Sequence, residues 1–134
     1  MTNCLFCKII AGDIPALKVF EDEKTFAFLD IGPVSKGHTL VVPKVHAENL
    51  SVGTHEDAGA LMEAIHHLAP RIMKALGAQG YNLGMNHGEV AGQEVMHTHV
   101  HIMPRFAGQP RTFAKTHPSK EELEAIAAAI VAQG

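Results

Sequence analysis

Three histidines alternate with β-branched residues in one short segment, His97-Thr98-His99-Val100-His101. Because successive side chains of a strand point to opposite faces, this spacing predicts a strand with all three imidazoles on one face. Histidine has an unperturbed pKa of about 6.5, so near neutral pH it can act as a nucleophile, acid, base or metal ligand. Burying several imidazoles without partners costs free energy. The pattern therefore indicates a chemical site.

Length and composition predict a single globular domain over residues 1–134. The chain is 46% hydrophobic and 19% charged, which is enough apolar content for a core without disulfide bonds. Its formal net charge of −3 gives no general attraction to nucleic acid. It has no 18-residue apolar run and no secretory signal pattern at its start. We therefore expect a cytoplasmic protein that binds neither nucleic acid nor membrane.

The order of strand and helix patterns predicts an α+β fold. Residues 5–10 favour one or two helical turns, and a longer amphipathic helix is expected between Thr54 and Gly77, bent at Pro70. A capping box at Ser119 and Glu122 predicts a final helix. Extended patterns cover residues 17–21, 25–30, 38–43, 81–86 and 98–104. Hairpin-like connections favour an antiparallel sheet with a helix on one face and the histidines on the other.

A glycine-rich loop at residues 88–93 comes just before the histidine segment. Such a loop can offer backbone N–H groups to an anion. We expect the side-chain amide of Gln93 to join them, and phosphate is the natural candidate for the anion.

Four blocks of the sequence together resemble the histidine triad (HIT) family, and in particular its Hint-like bacterial nucleotide-binding members. The blocks are Cys-Leu-Phe-Cys-Lys-Ile-Ile-Ala-Gly-Asp-Ile-Pro at residues 4–15, Ala-Phe-Leu-Asp-Ile-Gly-Pro at 27–33, Gly-His-Thr-Leu-Val-Val-Pro-Lys-Val-His at 37–46, and Asn86 with Gly92-Gln93 leading into His-x-His-x-His. The resemblance spans residues 4–106. It implies a five-stranded antiparallel sheet with two main helices, and a homodimer that continues the sheet.

The resemblance also implies a reaction. His99 would attack the α-phosphorus of a purine nucleotide and form a nucleotidyl-histidine intermediate that water hydrolyses. His101 would form a hydrogen bond to the phosphate or to the leaving atom, and His97 would support His99. The expected activity is hydrolysis of nucleoside 5'-phosphoramidates or related conjugates, with no catalytic metal. Dinucleoside polyphosphate hydrolysis and a nucleotide-sensing or scaffolding role are the alternatives.

Further residues match the family's nucleotide-binding positions. Asp30 corresponds to the acid that binds the ribose, although a residue before Gly-Pro is often only a turn residue. The expected purine slot consists of Leu5, Phe6, Ile9, Phe28 and Ile31, which by composition alone would be core residues. The expected phosphate-binding group consists of Asn86, Gly92, Gln93 and Glu94. Because a carboxylate repels phosphate, Glu94 either points away or alters the substrate preference.

The two cysteines, Cys4 and Cys7, have the spacing of a metal site, a redox pair or buried thiols. The resemblance implies a structural zinc site completed by His46 and His97, with the four ligands of a tetrahedral centre. A less favoured alternative places a catalytic zinc ion on the three triad histidines.

Overall fold

Five antiparallel strands form one sheet in the computed structural model, which describes residues 3–134. The elements in chain order are α1 (Leu5–Ala11), β1 (Lys18–Glu21), β2 (Thr25–Leu29), β3 (Thr39–Pro43), α2 (His55–Leu76), β4 (Gly80–Gly84), a short 3₁₀ turn (Glu89–Ala91), β5 (Val100–Arg105) and α3 (Lys120–Val131). The strands lie in the order β1-β2-β3-β5-β4, and each neighbouring pair is antiparallel. The predicted α+β fold with a five-stranded antiparallel sheet is confirmed.

Local capping chemistry determines where the two long helices begin and end. The Thr54 hydroxyl accepts a hydrogen bond from the Asp57 N–H before α2, and Gly77 ends that helix with φ of 72°, a conformation that glycine adopts without strain. Ser119 and Glu122 form the predicted capping box before α3. Pro70 lies inside α2, so one continuous helix crosses the proline.

The two faces of the sheet have different partners. One face carries Val41 and Ile102 and packs against α2 and α3. The opposite face carries Phe28 and Leu40 and packs against the short helix α1. His101 pairs with Leu40 across the ladder, and directly paired residues point to the same face. The histidine segment therefore faces the α1 side of the sheet, away from the long helices, as predicted.

The histidine segment is less regular than its alternating sequence predicts, because β5 begins only at Val100. The N–H of His97 donates to the carbonyl of Val95 at 2.9 Å in a tight turn, and the N–H of Thr98 donates to the carbonyl of Ala47 at 2.7 Å. These bonds replace a regular ladder before Val100. Only His101 of the triad lies within the strand.

Candidate active site

A cavity of about 610 Å³ opens on the α1 side of the sheet and contains the rings of His99 and His101. The predicted nucleotide-binding residues line this cavity with the exception of Gln93. Those that line it are Leu5, Phe6, Ile9, Phe28, Asp30, Ile31, Asn86, Gly92 and Glu94. The fold therefore gathers residues from α1, the end of β2 and the loop before β5 around two imidazoles.

The ring of His99 is held in one orientation and one tautomer. Its Nδ1 atom lies 2.7 Å from the main-chain oxygen of His97. Because a carbonyl oxygen only accepts hydrogen bonds, Nδ1 carries the proton, and Nε2 of the neutral ring keeps its lone pair. The ring also packs edge-on against Phe6, with centroids 5.0 Å apart. This is the state that a nucleophilic imidazole requires.

His101 belongs to a hydrogen-bonded chain that begins at the backbone of Val34. The Val34 N–H donates to Nδ1 of His38 at 3.1 Å, so neutral His38 carries its proton on Nε2. That atom lies 2.9 Å from Nδ1 of His101 and donates to it. His101 consequently carries its own proton on Nε2, where it can serve as a hydrogen-bond donor.

Burial keeps this pair of rings neutral. The pKa of His101 is lowered to about 4, first by burial and then by the neighbouring rings of His99 and His38. Burial also lowers the pKa of His38, against the attraction of the Asp30 carboxylate. Near neutral pH the two histidines therefore donate and accept hydrogen bonds without carrying charge. No local sequence pattern places His38 in this chain of hydrogen bonds, because only the sheet register brings it next to His101.

Asp30 is both a turn residue and a cavity residue. Its Oδ1 atom accepts a hydrogen bond from the Gly32 N–H at 2.8 Å, and its Oδ2 atom lies 3.7 Å from Nε2 of His38. The carboxylate is therefore fixed by the turn, yet still lines the cavity with lone pairs available for a ligand.

Gln93 is buried at 3% exposure and stabilises the loop. Its Oε1 atom accepts from the Gly88 N–H at 2.8 Å, and its Nε2 atom donates to the carbonyls of Glu48 at 2.6 Å and Val95 at 3.1 Å. The sequence predicts that this amide faces an anion, but backbone groups of Gly88, Val95 and the distant Glu48 occupy it. Its hydrogen bonds fix the shape of the glycine-rich loop at residues 88–93.

Gly92 and Asn86 form the adjoining wall of the cavity. The Asn86 amide donates to the carbonyl of Gly92 at 3.3 Å. Gly92 has φ of 96°, a backbone conformation that other residues rarely adopt. A side chain at Gly92 would also approach the Asn86 amide nitrogen to 3.4 Å. Glycine therefore allows the loop to fold closely against Asn86.

The second cluster lies behind His99 and consists of Cys4, Cys7, His46 and His97. The His97 Nδ1 atom is 3.3 Å from Sγ of Cys4, 3.6 Å from Sγ of Cys7 and 3.2 Å from Nδ1 of His46. Ligands around tetrahedral zinc, with bonds of about 2.0–2.3 Å, lie roughly 3.3–3.8 Å apart. Nε2 of His97 lies 2.9 Å from the carbonyl of Pro43 and must donate, which leaves the Nδ1 lone pair for a metal. The donor set fits zinc.

Within residues 3–134, the three triad histidines do not form a donor set for the alternative catalytic zinc ion. The His97 Nδ1 atom faces the cysteines, and the His99 Nδ1 atom is bonded to a carbonyl. Asp30, His38 and His101 also lie close together. However, the hydrogen bond from Val34 requires a proton on Nε2 of His38, so this nitrogen has no lone pair for a metal.

The longest helix, α2, has 22 residues and mixes charged with apolar side chains. No helix within residues 3–134 could span a bilayer.

Comparison with known proteins identifies relatives over most of the chain. A family model described as the HIT domain matches residues 11–108. Protein hit of Bacillus subtilis is 48% identical, covering 96% of this chain and 92% of the relative. Adenosine 5'-monophosphoramidase hnt1 of Schizosaccharomyces pombe is 45% identical, covering 77% of this chain and 74% of the relative.

Two solved structures share the fold. A hypothetical histidine triad nucleotide-binding protein from Sulfolobus tokodaii has a TM-score of 0.90 at 36% identity, over 97% of this chain and 91% of that one. A Zn-bound histidine triad family protein from Mycobacterium smegmatis has a TM-score of 0.80 at 34% identity, over 98% and 95% of the two chains. The family match, the relatives and the shared fold establish that this chain belongs to the histidine triad (HIT) family.

Proposed function

We propose that the protein is a purine nucleotide-binding hydrolase that cleaves nucleoside 5'-phosphoramidates or related nucleotide conjugates. The observation that carries this proposal is the 2.7 Å bond from Nδ1 of His99 to the carbonyl of His97, which leaves a reactive nitrogen in a cavity shared with Asp30 and His101. Relatives named adenosine 5'-monophosphoramidase in Schizosaccharomyces pombe and Saccharomyces cerevisiae support the substrate class.

In the proposed reaction, the Nε2 lone pair of His99 forms a bond to the α-phosphorus while the bond from phosphorus to the leaving nitrogen breaks. The leaving nitrogen takes up a proton from solvent water and departs as an amine, and the water that later hydrolyses the intermediate returns a proton to solvent. Water then hydrolyses the nucleotidyl-imidazole, releasing the nucleotide and restoring His99. The Nε2–H of neutral His101 donates a hydrogen bond to the leaving atom or to a phosphate oxygen, where charge develops.

The cavity walls suit a nucleoside. Phe6 and Phe28 are buried and meet edge-to-face with centroids 5.4 Å apart, so they serve as core and as cavity wall together. Leu5 and Ile31 are apolar residues exposed at 42% and 77%, and a bound purine would remove them from water. In this proposal the Asp30 carboxylate accepts hydrogen bonds from the ribose hydroxyls.

Cys4, Cys7, His46 and His97 would hold a structural zinc ion. When bound, zinc cross-links the start of α1 to the loop after β3 and to the segment before β5. Because the carbonyl of His97 is the group that orients His99, an anchored His97 would stabilise the reactive tautomer. The Zn-bound relative from Mycobacterium smegmatis supports this assignment.

A homodimer is also proposed, formed along β4. This strand lies at the edge of the sheet, and its Tyr81 and Leu83 side chains are 38% and 41% exposed. An edge strand with apolar side chains readily pairs with another chain. Pairing two copies of β4 would continue the sheet. We propose that this dimer is located in the cytoplasm.

The experiment that tests the function compares wild-type protein with His99→Asn on adenosine 5'-phosphoramidate. The variant should lose turnover by about a thousandfold or more and still bind AMP, and mass spectrometry of wild-type protein should find the adduct on His99. His55→Asn, at a residue whose side chain is 94% exposed, is the control.

Full activity of the His99 variant would refute the mechanism. AMP binding without turnover by wild-type protein would instead favour the nucleotide-sensing role, and faster cleavage of a dinucleoside polyphosphate would favour that substrate class.

A further inference from the structure

The chain segment after β5 contributes Phe113 and Lys115 to the lining of the cavity and is fixed by hydrogen bonds at two points. Arg105 donates from Nη1 to the carbonyl of Thr112 at 2.8 Å. Thr116 donates from its N–H at 2.9 Å and from its hydroxyl at 2.6 Å to the carbonyl of Pro33. Lys115 lies between these two anchors and lines the cavity. Its backbone is therefore held in place at the mouth of the site.

The side chain of Lys115 extends from the turn that follows Asp30 to Glu94, which follows the glycine-rich loop. Its Cδ atom lies 3.7 Å from the position that a Cβ on Gly32 would occupy, so its stem runs along the turn that follows Asp30. Its Nζ atom lies 3.6 Å from Oε2 of Glu94. The two side chains are 63% and 77% exposed, and such exposed ion pairs are weak and exchange easily.

Lys115 is also the only lysine or arginine side chain that lines this cavity within residues 3–134, whereas Asp30 and Glu94 both contribute carboxylates. Burial is the main cause of the lowered pKa of His38 and His101, and the charge of Lys115 adds a smaller effect in the same direction. Those rings are neutral near pH 7. An entering phosphate therefore has one permanent cation to meet, and that cation is already paired with a carboxylate.

We propose that Lys115 is the phosphate-recognising cation of this cavity, and that Glu94 is the partner it leaves when a nucleotide binds. This inference rests on the proposed nucleotide-binding function. Binding would exchange one Glu94 carboxylate oxygen for a substrate phosphate oxygen at the Lys115 ammonium, a charge-assisted contact. Glu94 therefore competes with the substrate, which accounts for a carboxylate on a loop that faces phosphate.

Calorimetric titration of the full chain with AMP and with adenosine tests this exchange, because adenosine lacks the phosphate. Lys115→Met should weaken AMP binding about tenfold and leave adenosine binding unchanged, whereas Lys115→Arg should retain most of the AMP affinity. Glu94→Gln should tighten AMP binding about threefold at low salt and lose this advantage at high salt. Lys120→Met and Glu63→Gln, at exposed residues outside the cavity, are the charge-matched controls.

Equal effects of Lys115→Met on AMP and adenosine would overturn the inference, because Lys115 would then act only on the shape of the cavity. AMP affinity unchanged by Glu94→Gln would overturn the exchange. Failure of the proposed function gives a different result, since wild-type protein would then bind neither ligand or would show no His99-dependent turnover.

Discussion

The Nε2 atom of His38 lies 2.9 Å from the Nδ1 atom of His101, and this contact sets which nitrogen of His101 carries the proton. Because the Val34 N–H occupies the other nitrogen of His38, the proton of His38 points toward His101. The tautomer of His101 is thus determined by the backbone N–H of Val34, which acts through the single side chain of His38.

Replacing His38 with Phe should remove the hydrogen bond that sets the His101 tautomer, while a flat ring still fills the same space. The His101 proton could then move to Nδ1, and the donor facing the substrate would be lost. We expect kcat for adenosine 5'-phosphoramidate to fall about 10- to 100-fold with little change in KM. Nitrogen NMR of the His101 ring reports the tautomer directly. If neither the His101 tautomer nor kcat changes, His38 does not determine which nitrogen of His101 carries the proton.

The lowered pKa of His101 predicts a loss of stability in mild acid. The folded ring has a pKa of about 4, compared with an ordinary value of 6.5. Between these two values the unfolded chain binds more protons than the folded one. The contribution of His101 to the free energy of unfolding is therefore complete above about pH 6.5 and falls as the pH approaches about 4.

Urea unfolding at several pH values measures this effect. His101→Asn should reduce the pH dependence between pH 7 and pH 4.5, whereas His55→Asn at an exposed position should leave it unchanged. If wild-type protein and the His101 variant show the same pH dependence, the group responsible is a different one.

Removing the two cysteine ligands should remove zinc. Purified protein is expected to contain about one zinc ion per chain, and Cys4→Ser/Cys7→Ser should contain none by elemental analysis. The midpoint of thermal unfolding should fall in that variant and in wild-type protein treated with a chelator, because metal binding stabilises the folded state. His87→Asn, a histidine outside the cluster, should keep the metal. A metal-free wild-type protein whose midpoint is insensitive to chelator would exclude the zinc site.

Gln93→Leu should destabilise the protein and impair binding together. The substitution leaves the Gly88 N–H and the Glu48 carbonyl without their side-chain partner, at a cost of about 1–3 kcal/mol. The loosened loop should raise KM more than it lowers kcat. Chemical unfolding and steady-state kinetics measure the two effects, with exposed Gln109→Leu as the control. Unchanged stability would show that the Gln93 hydrogen bonds contribute little.

Charged residues on β4 should disrupt the proposed dimer. Leu83→Lys or Tyr81→Lys would place a cation on the edge strand, which opposes pairing with a second copy. Light scattering should then find half the wild-type mass. Val90→Lys, at another exposed apolar residue outside β4, is the control. A monomeric wild-type protein would rule out this interface.

Local sequence patterns were sufficient to predict most of the elements. The capping pairs at Thr54 and Ser119 act within one helical turn, and the strand segments are rich in β-branched and aromatic residues and are bounded by turn residues. Motif resemblance likewise grouped Cys4 and Cys7 with two distant histidines, and the four side chains do lie together. These features are visible in sequence because they depend on neighbouring residues or on recurring spacing.

Tertiary structure alone decided the details that govern the chemistry. The register that pairs Leu40 with His101 brings His38 to that ring, and the fold of the loop turns Gln93 toward backbone groups instead of the cavity. The pairing of Lys115 with Glu94 likewise joins residues on separate segments. The physical reason is that a side chain's proton, charge and direction depend on contacts between residues far apart in the chain, and no local pattern specifies those contacts.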